Sequence, residues 1–591
     1  MSNILTNLDL AVCVGGILTV MAIGMIASRK EDSAGDFFLA GRTIPWWAIA
    51  GSVFATNISS NHVVGFTGLG YSQGFAAANF EFGAVAGLMV LGYFLMPLYR
   101  QAGVYTLSDF LGRRFDERSR ILYWIVGLII MVLIQIVVTL YIGARTLRTL
   151  LVDTSVETWL TELGQSVLPS AEPGLFIYYV GIVVFGLIAC VYTVFGGLKA
   201  VIWTDVIQAT LLLLASGLIA WFAIFHPAVG GLGNLIEMEG DRFHIFFPMD
   251  HPSLPWTGIV TGQMVLHLYY WGTNQYIVQR TLGARTDWDG RMGLVSAGFL
   301  KMLIPFTTIA AGMAAIYVLR SNPQTAMAAG LCGPDGALNN SDDAFTALAI
   351  TLLPAGYGLM GIVLTGLIGA ILSTLDSLMN SSATLFTFDI YKRYLRKGAS
   401  DRELILVGRL GIIAAMVIGG GLAALFHSTG DFFLEASDNL GYVAGGVMIA
   451  FLFGILWAGA TATGAFACII GYVLLNVVLQ VAFNGFSTLP FVKYLDPANF
   501  AAWPDALAYG LLDTPVNFMH RIALATVGAV AILVVVSRRT ASERSDEKEK
   551  LVWWHYRANK GPREKLPAWK DDRLWAALLV ATSVGLCVCF A

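Results

Sequence analysis

Charge is scarce in this sequence: 13% of its 591 residues are Asp, Glu, Lys or Arg, and the formal net charge is −3. Water-soluble domains carry about 25%, so a large solvated enzyme or scaffold is excluded. No basic, aromatic-interleaved patch is present, which excludes nucleic-acid recognition. Cysteines number six, and Cys13, Cys190, Cys468, Cys587 and Cys589 lie in apolar runs while Cys332 lies in a loop. None is spaced for a metal or a disulfide framework, so they read as small packing residues. Phosphate loops, nucleophile elbows and metalloprotease helices are also missing, so the chain is not expected to be an enzyme. The first apolar run has no basic residue before it and no small-x-small cleavage site, and reads as a retained helix with the N-terminus outside.

What the chain has is hydrophobic length, with 57% apolar residues and a mean hydropathy of +0.70. A spanning helix takes about 20 apolar residues, and by that measure the chain has fourteen candidate segments, the last two of them short. The first six are Leu8–Ser28, Trp46–Tyr71, Phe75–Tyr99, Ile121–Leu151, Phe176–Val194 and Leu198–Phe225. The next five are Gly258–Val278, Gly293–Leu319, Gly356–Phe388, Leu404–Leu425 and Phe432–Trp457. Ala460–Val481, Ile522–Val536 and Leu574–Phe590 complete the set. Threaded from an outside N-terminus, this order puts Arg29, Lys30, Arg100, Arg113, Arg114, Arg280, Arg285, Lys392 and Arg393 inside, and leaves few basic groups outside. That asymmetry is the positive-inside rule, and it predicts a multi-pass protein of the cell membrane. Residues 105–120 predict a short interfacial helix, and 537–573 a charged cytoplasmic linker before the last helix.

Two of the segments do not read as ordinary helices. The stretch Thr56-Asn57-Ile58-Ser59-Ser60-Asn61-His62 is a poor helix former between glycines. Five segments later, Gly258–Arg280 contains Gly262, Gln263, His267 and the run Tyr269-Tyr270-Trp271-Gly272-Thr273-Asn274-Gln275-Tyr276. Non-helical backbone at membrane depth is tolerated only inside protein or along a cavity, and transporters use such breaks to aim carbonyls at ions and solute. Ordinary kinks hydrogen-bonded to neighbouring helices are the alternative. Two breaks five segments apart predict an inverted repeat of five plus five helices, in an all-α membrane fold. The expected division is 1–44 peripheral, 45–225 first repeat, 226–256 external loop, 257–457 second repeat and 458–591 peripheral.

Intramembrane charges are functional by default, and Glu81, Asp205, Lys301 and Asp376 stand out. Glu81 and Lys301 are candidates to pair and to bind hydroxyls, one accepting and one donating; Lys301 snorkelling to the interface is the alternative. Ala370, Ser373, Thr374 and Ser377 share a helical face. Their hydroxyls with unwound carbonyls suit a hard cation such as Na⁺, although such faces also join helices without an ion. His62 and His267, one per break, read as solute contacts or as satisfied core histidines; neither has a carboxylate or cysteine at zinc spacing.

In combination these motifs resemble the sodium/solute symporter family, in its sodium/glucose cotransporter-like branch. The resemblance is carried by Phe54-Ala55-Thr56-Asn57-Ile58-Ser59, Phe80-Glu81, Gly196-Gly197-Leu198, Trp203-Thr204-Asp205, the run from Tyr269 to Tyr276 with Gln279-Arg280, Phe299-Leu300-Lys301, and Ser373-Thr374-Leu375-Asp376-Ser377. It implies a LeuT-like core, with alternating access driven by a sodium gradient. A main Na⁺ site is implied at the carbonyls of Ala55, Ile58 and Ala370 with the hydroxyls of Ser373 and Thr374. A second cation site, present in some members, falls on Asp205, Ser373, Asp376 and Ser377. Solute contacts match His62, Glu81, His267 and Lys301; Tyr270 matches the inner gate, and Phe66, Phe80 and Phe433 the outer gate. Three positions depart from the pattern: Ser437 stands where a glutamine is expected, with Glu435 and Asp438 nearby, His267 stands where asparagine or threonine is common, and Asp376 stands where the family often has a hydroxyl residue.

The expected function is therefore Na⁺-coupled symport of a neutral polyhydroxylated solute, with sugar favoured. Inositol, a nucleoside, an amino acid or a monocarboxylate are the other solutes, and a non-transporting sensor is the alternative of another class. The expected partners are the solute, Na⁺ and the bilayer, with no obligate protein partner evident.

Overall fold

In the computed structural model the described residues are 5–27, 33–151, 155–167, 174–425, 432–489, 515–541, 545–560 and 566–591. Among them the backbone is helical between turns, and extended pairing is confined to three isolated bridges. The helices that position the site are α1 (Asn7–Ala27), α2 (Trp46–Asn57), α3 (Ser60–Gln73), α4 (Phe75–Ala102), α5 (Glu117–Thr149) and α6 (Leu175–Ile224). They continue with α7 (residues 256–272), α8 (Gln275–Leu282), α9 (Asp287–Ser321), α10 (Leu359–Leu395), α11 (Asp401–Leu425) and α12 (Phe432–Leu456). The last three are α13 (Ala462–Asn484), α14 (Phe518–Arg539) and α15 (Asp572–Cys589).

Eleven helices among the described residues are long and apolar enough to cross a membrane. The expected fourteen segments differ from that number for a local reason. Two expected spans are broken into the pairs α2/α3 and α7/α8, and two others meet without a loop at a kink within α6. That 50-residue stretch is two helices that meet at a kink at Gly197, whose φ is +48°. A left-handed φ favours glycine, and a Cβ there would lie 2.3 Å from the Phe37 carbonyl oxygen. The expected interfacial helix appears as Leu107–Arg114.

Burial sorts the bundle. In α10, 89% of the spanning window is buried, against 17% in α1 and 22% in α15; α10 is therefore the central post and those two are peripheral. Long apolar residues of α6 and α11, such as Leu187 and Val417, are exposed because the surrounding medium is lipid. The two broken spans are stitched at one end. Ile44 N–H donates to Gly283 C=O (3.1 Å) and Arg285 N–H to Ile44 C=O (2.9 Å). Asp289 accepts from Trp46 N–H at 3.1 Å, capping α2. At the far end, Arg242 donates to the carbonyl of Tyr71 (2.7 Å), meeting α3 where its own hydrogen bonds run out.

Candidate functional site

The chain between α2 and α3 is non-helical at Ile58 and Ser59 (Ile58 φ −81°, ψ 82°). Between α7 and α8 the breaks fall at Thr273 and Asn274. Asn, Ser and Thr compete for backbone hydrogen bonds with their own side chains, which is why these residues end the helices. Ile58, Ser59, Thr273 and Asn274 are all buried in protein, as non-helical backbone in a membrane requires.

Between the breaks lies a cavity of about 150 Å³, lined by Asn57, His62, Phe80, Glu81, Gln135, Gln263, His267, Tyr270, Trp271, Lys301, Thr374, Phe433 and Ser437, among others. One water needs about 10–15 Å³ of such space, so the cavity suits one small solute better than a lone ion. Glycines let its walls approach: at Gly83 a Cβ would lie 2.7 Å from His267 Nε2.

Glu81 and Lys301 form an ion pair of 2.6 Å, each side chain 1% exposed, so Lys301 does not snorkel. Its ammonium also donates to Asn57 Oδ1 and lies 5.1 Å from the Trp271 ring centre. Glu81 Oε1 is buried with no hydrogen-bond partner, leaving an acceptor for a donor from outside the protein. His267 bonds to the Asn79 backbone and lies 3.4 Å from the Gln263 amide nitrogen. His62 Nδ1 lies 3.3 Å from Ser59 Oγ. Ser437 faces the cavity, but its hydroxyl donates to Phe433 C=O at 2.8 Å.

The aromatic residues expected at the outer gate lie together. Phe66 and Phe433 stand 4.5 Å apart between ring centres, Phe80 and Phe433 4.9 Å, and His62 lies 5.1 Å from both Phe66 and Phe433. Phe80, Phe433 and His62 of this cluster line the cavity. Tyr270 lines it too, and its hydroxyl bonds to Asn57 and Tyr276.

On α10, Thr374 lines the cavity and Ser373 lies beside it in sequence; neither faces lipid, Ser373 being wholly buried and Thr374 8% exposed. Ala55 lies in the last turn of α2, where carbonyls lack an intrahelical partner. Thr374 Oγ1 donates to Ala370 C=O at 3.1 Å, and Ser373 Oγ donates to Asp205 Oδ1. The residues matched to a second cation site are joined by a group that the sequence did not single out for it. Arg280 is wholly buried; its guanidinium pairs with Asp205 at 3.3 Å, donates to Ser52 Oγ at 2.8 Å and also to Ser377 Oγ and Tyr276 C=O. Asp376 accepts from Tyr192 O–H at 2.8 Å and from Ser377 at 3.1 Å. A protein cation thus already occupies the mouth of that carboxylate cluster.

Asn57, Gln135, Gln263, Trp271 and Arg280 are site residues to which sequence reasoning gave no individual role. Arg280 carried a signal, since it lies within helical reach of the second break.

Residues 37–163 and 174–471 match the sequence model of the Sodium:solute symporter family. The Sodium/glucose cotransporter of Vibrio parahaemolyticus is 32% identical over 87% of this chain and 91% of its own length. Sodium/glucose cotransporter 1 of Oryctolagus cuniculus is 30% identical over 95% and 83%, and the Sodium/myo-inositol cotransporter of Mus musculus 31% over 82% and 68%. Among solved structures, the substrate-bound outward-open state of a Na⁺-coupled sialic acid symporter superposes with a TM-score of 0.69 at 22% identity, covering 91% of this chain and 99% of that one.

Proposed function

The chain belongs to the sodium:solute symporter family, and from that premise we propose that it couples Na⁺ entry to uptake of a neutral polyhydroxylated solute, a monosaccharide in the first instance. It is a Na⁺-coupled transporter of many membrane spans; the solute is what the cavity must decide. The observation that carries the reading is the buried Glu81–Lys301 pair with its unpartnered carboxylate oxygen. Being internally neutral, the pair offers no net charge to an anionic or cationic solute, while its spare acceptor suits a hydroxyl. His62, His267 and Asn57 add further polar contacts, and the aromatic walls suit the apolar faces of a ring. Myo-inositol is the second reading, favoured by the similarity to a myo-inositol cotransporter and by the same hydroxyl chemistry.

The proposed Na⁺ site takes the carbonyls of Ala55, Ile58 and Ala370 with the hydroxyls of Ser373 and Thr374, tying α2 to α10. Sodium there stabilises the outward-facing arrangement, solute binding lets Phe66, Phe80 and Phe433 close, and loosening of the cage releases both inward past Tyr270. The ligands drive this cycle only through their unequal affinity for its states. Residues 45–225 and 257–457 act as the two repeats, with the N-terminus outside. Each Na⁺ falling through 100 mV releases about 2.3 kcal/mol, enough to hold a roughly fiftyfold gradient of a neutral solute. Uptake of radiolabelled glucose, galactose and myo-inositol into proteoliposomes is the test: accumulation under an inward Na⁺ gradient supports the reading, and uptake indifferent to that gradient refutes it.

A further inference from the structure

Two glutamines stand in the cavity in the same way, on different repeats. Gln135 closes a π-helical turn in α5, Ile129–Gln135, and Gln263 closes one in α7, Ile259–Gln263. A π-turn inserts a residue into the helix and re-aims the side chains beyond it; such turns are rare and gather at functional sites. Both glutamines line the cavity. The Gln135 amide nitrogen donates to the Tyr276 hydroxyl at 3.1 Å, and that of Gln263 lies 3.4 Å from His267 Nε2. In each case the amide oxygen is buried and has no hydrogen-bond partner.

A buried polar atom without a partner costs free energy that nothing in the protein recovers. Two such atoms, on matching turns around one cavity, make sense if the missing partner arrives with the solute. The chain also lacks the amide its resemblance predicts on α12, where Ser437 spends its hydroxyl on its own helix. We infer that Gln135 and Gln263 are solute-binding residues, each accepting a hydrogen bond from a solute hydroxyl, and that together they supply the amides α12 does not. With Glu81 Oε1 they make three buried acceptors, so the site selects donor-rich polyols over carboxylates and ketones. The inference rests on the proposed polyhydroxylated solute.

Full-length Gln135→Met and Gln263→Met, which keep side-chain length and remove the amide, test it in proteoliposomes with glucose, galactose, myo-inositol and the monodeoxy derivatives of the two hexoses. The Na⁺-induced thermal shift without solute serves as the folding control. Each variant is expected to raise the KM of the transported sugar on the order of tenfold. For the one deoxy sugar lacking the contacted hydroxyl, variant and wild type should have equal KM. Should a Met variant not fold, the Asn variant at that position, which withdraws the amide by one methylene, is expected to show the same analogue dependence. Variants that keep the wild-type KM, or that lose the same factor for every analogue, overturn the inference alone. A wild type that moves no sugar or inositol overturns the functional reading beneath it.

Discussion

Glu81 and Lys301 hold each other out of reach of water, so neutralising one leaves the other charged and unpaired, at a cost of about 3–5 kcal/mol. Glu81→Gln is therefore expected to raise the solute KM at least a hundredfold, or abolish solute binding, while leaving the Na⁺-induced thermal shift in place; uptake kinetics beside differential scanning fluorimetry check both. Ser373→Ala should act the other way round. Half-saturation by Na⁺ should rise about tenfold, as for the loss of one charge-assisted contact, while solute KM at saturating Na⁺ changes little. All three residues were readable from the sequence, because a charge or a hydroxyl face inside an apolar run is conspicuous. Arg280 was not. A basic residue at the end of a broken span reads as one more cytoplasmic anchor, and only packing shows that no part of it reaches solvent. Gln263 was visible but mute, since the orphaned oxygen that gives it meaning exists only in three dimensions.

The helix α12 carries Phe433 and, one turn on, Ser437 and Asp438, and what steadies it comes from the periphery. Arg521 of α14, 1% exposed, pairs with Asp438 at 2.5 Å and donates to Tyr442 at 3.0 Å, Asn476 at 3.2 Å and Gln480. It thereby joins α12, α13 and α14 through one guanidinium. Arg521→Met is expected to lower the unfolding midpoint in detergent by several degrees, because it strands Asp438 and three polar groups; an unchanged midpoint would show that the joint does not matter. The residues of this joint lie up to 83 positions apart, and no local pattern links them. The helix breaks, by contrast, were legible, since Thr56 to His62 and Thr273-Asn274 declare themselves by composition. The π-turns were not: Ile129–Gln135 is as apolar and helix-compatible as its neighbours.

For the molecule as a whole, the repeat was legible because its two breaks stand five segments apart, a spacing that survives ignorance of every tertiary contact. The two spans on either side of Gly197 were legible as well; the tightness of their junction was not, since it is set by the close approach of Phe37. The Arg280 guanidinium, a single side chain, acts at this largest scale. It grips Ser52 on α2, Asp205 on α6, Ser377 on α10 and a carbonyl of its own broken span. Parting those helices would separate a cation from its anion in the protein interior, at a cost of about 3–5 kcal/mol, which predicts slow idling of the empty carrier. Arg280→Gln vesicles should accordingly lose an imposed ²²Na⁺ gradient faster than wild type when no solute is present; equal rates would mean that something else keeps the door shut.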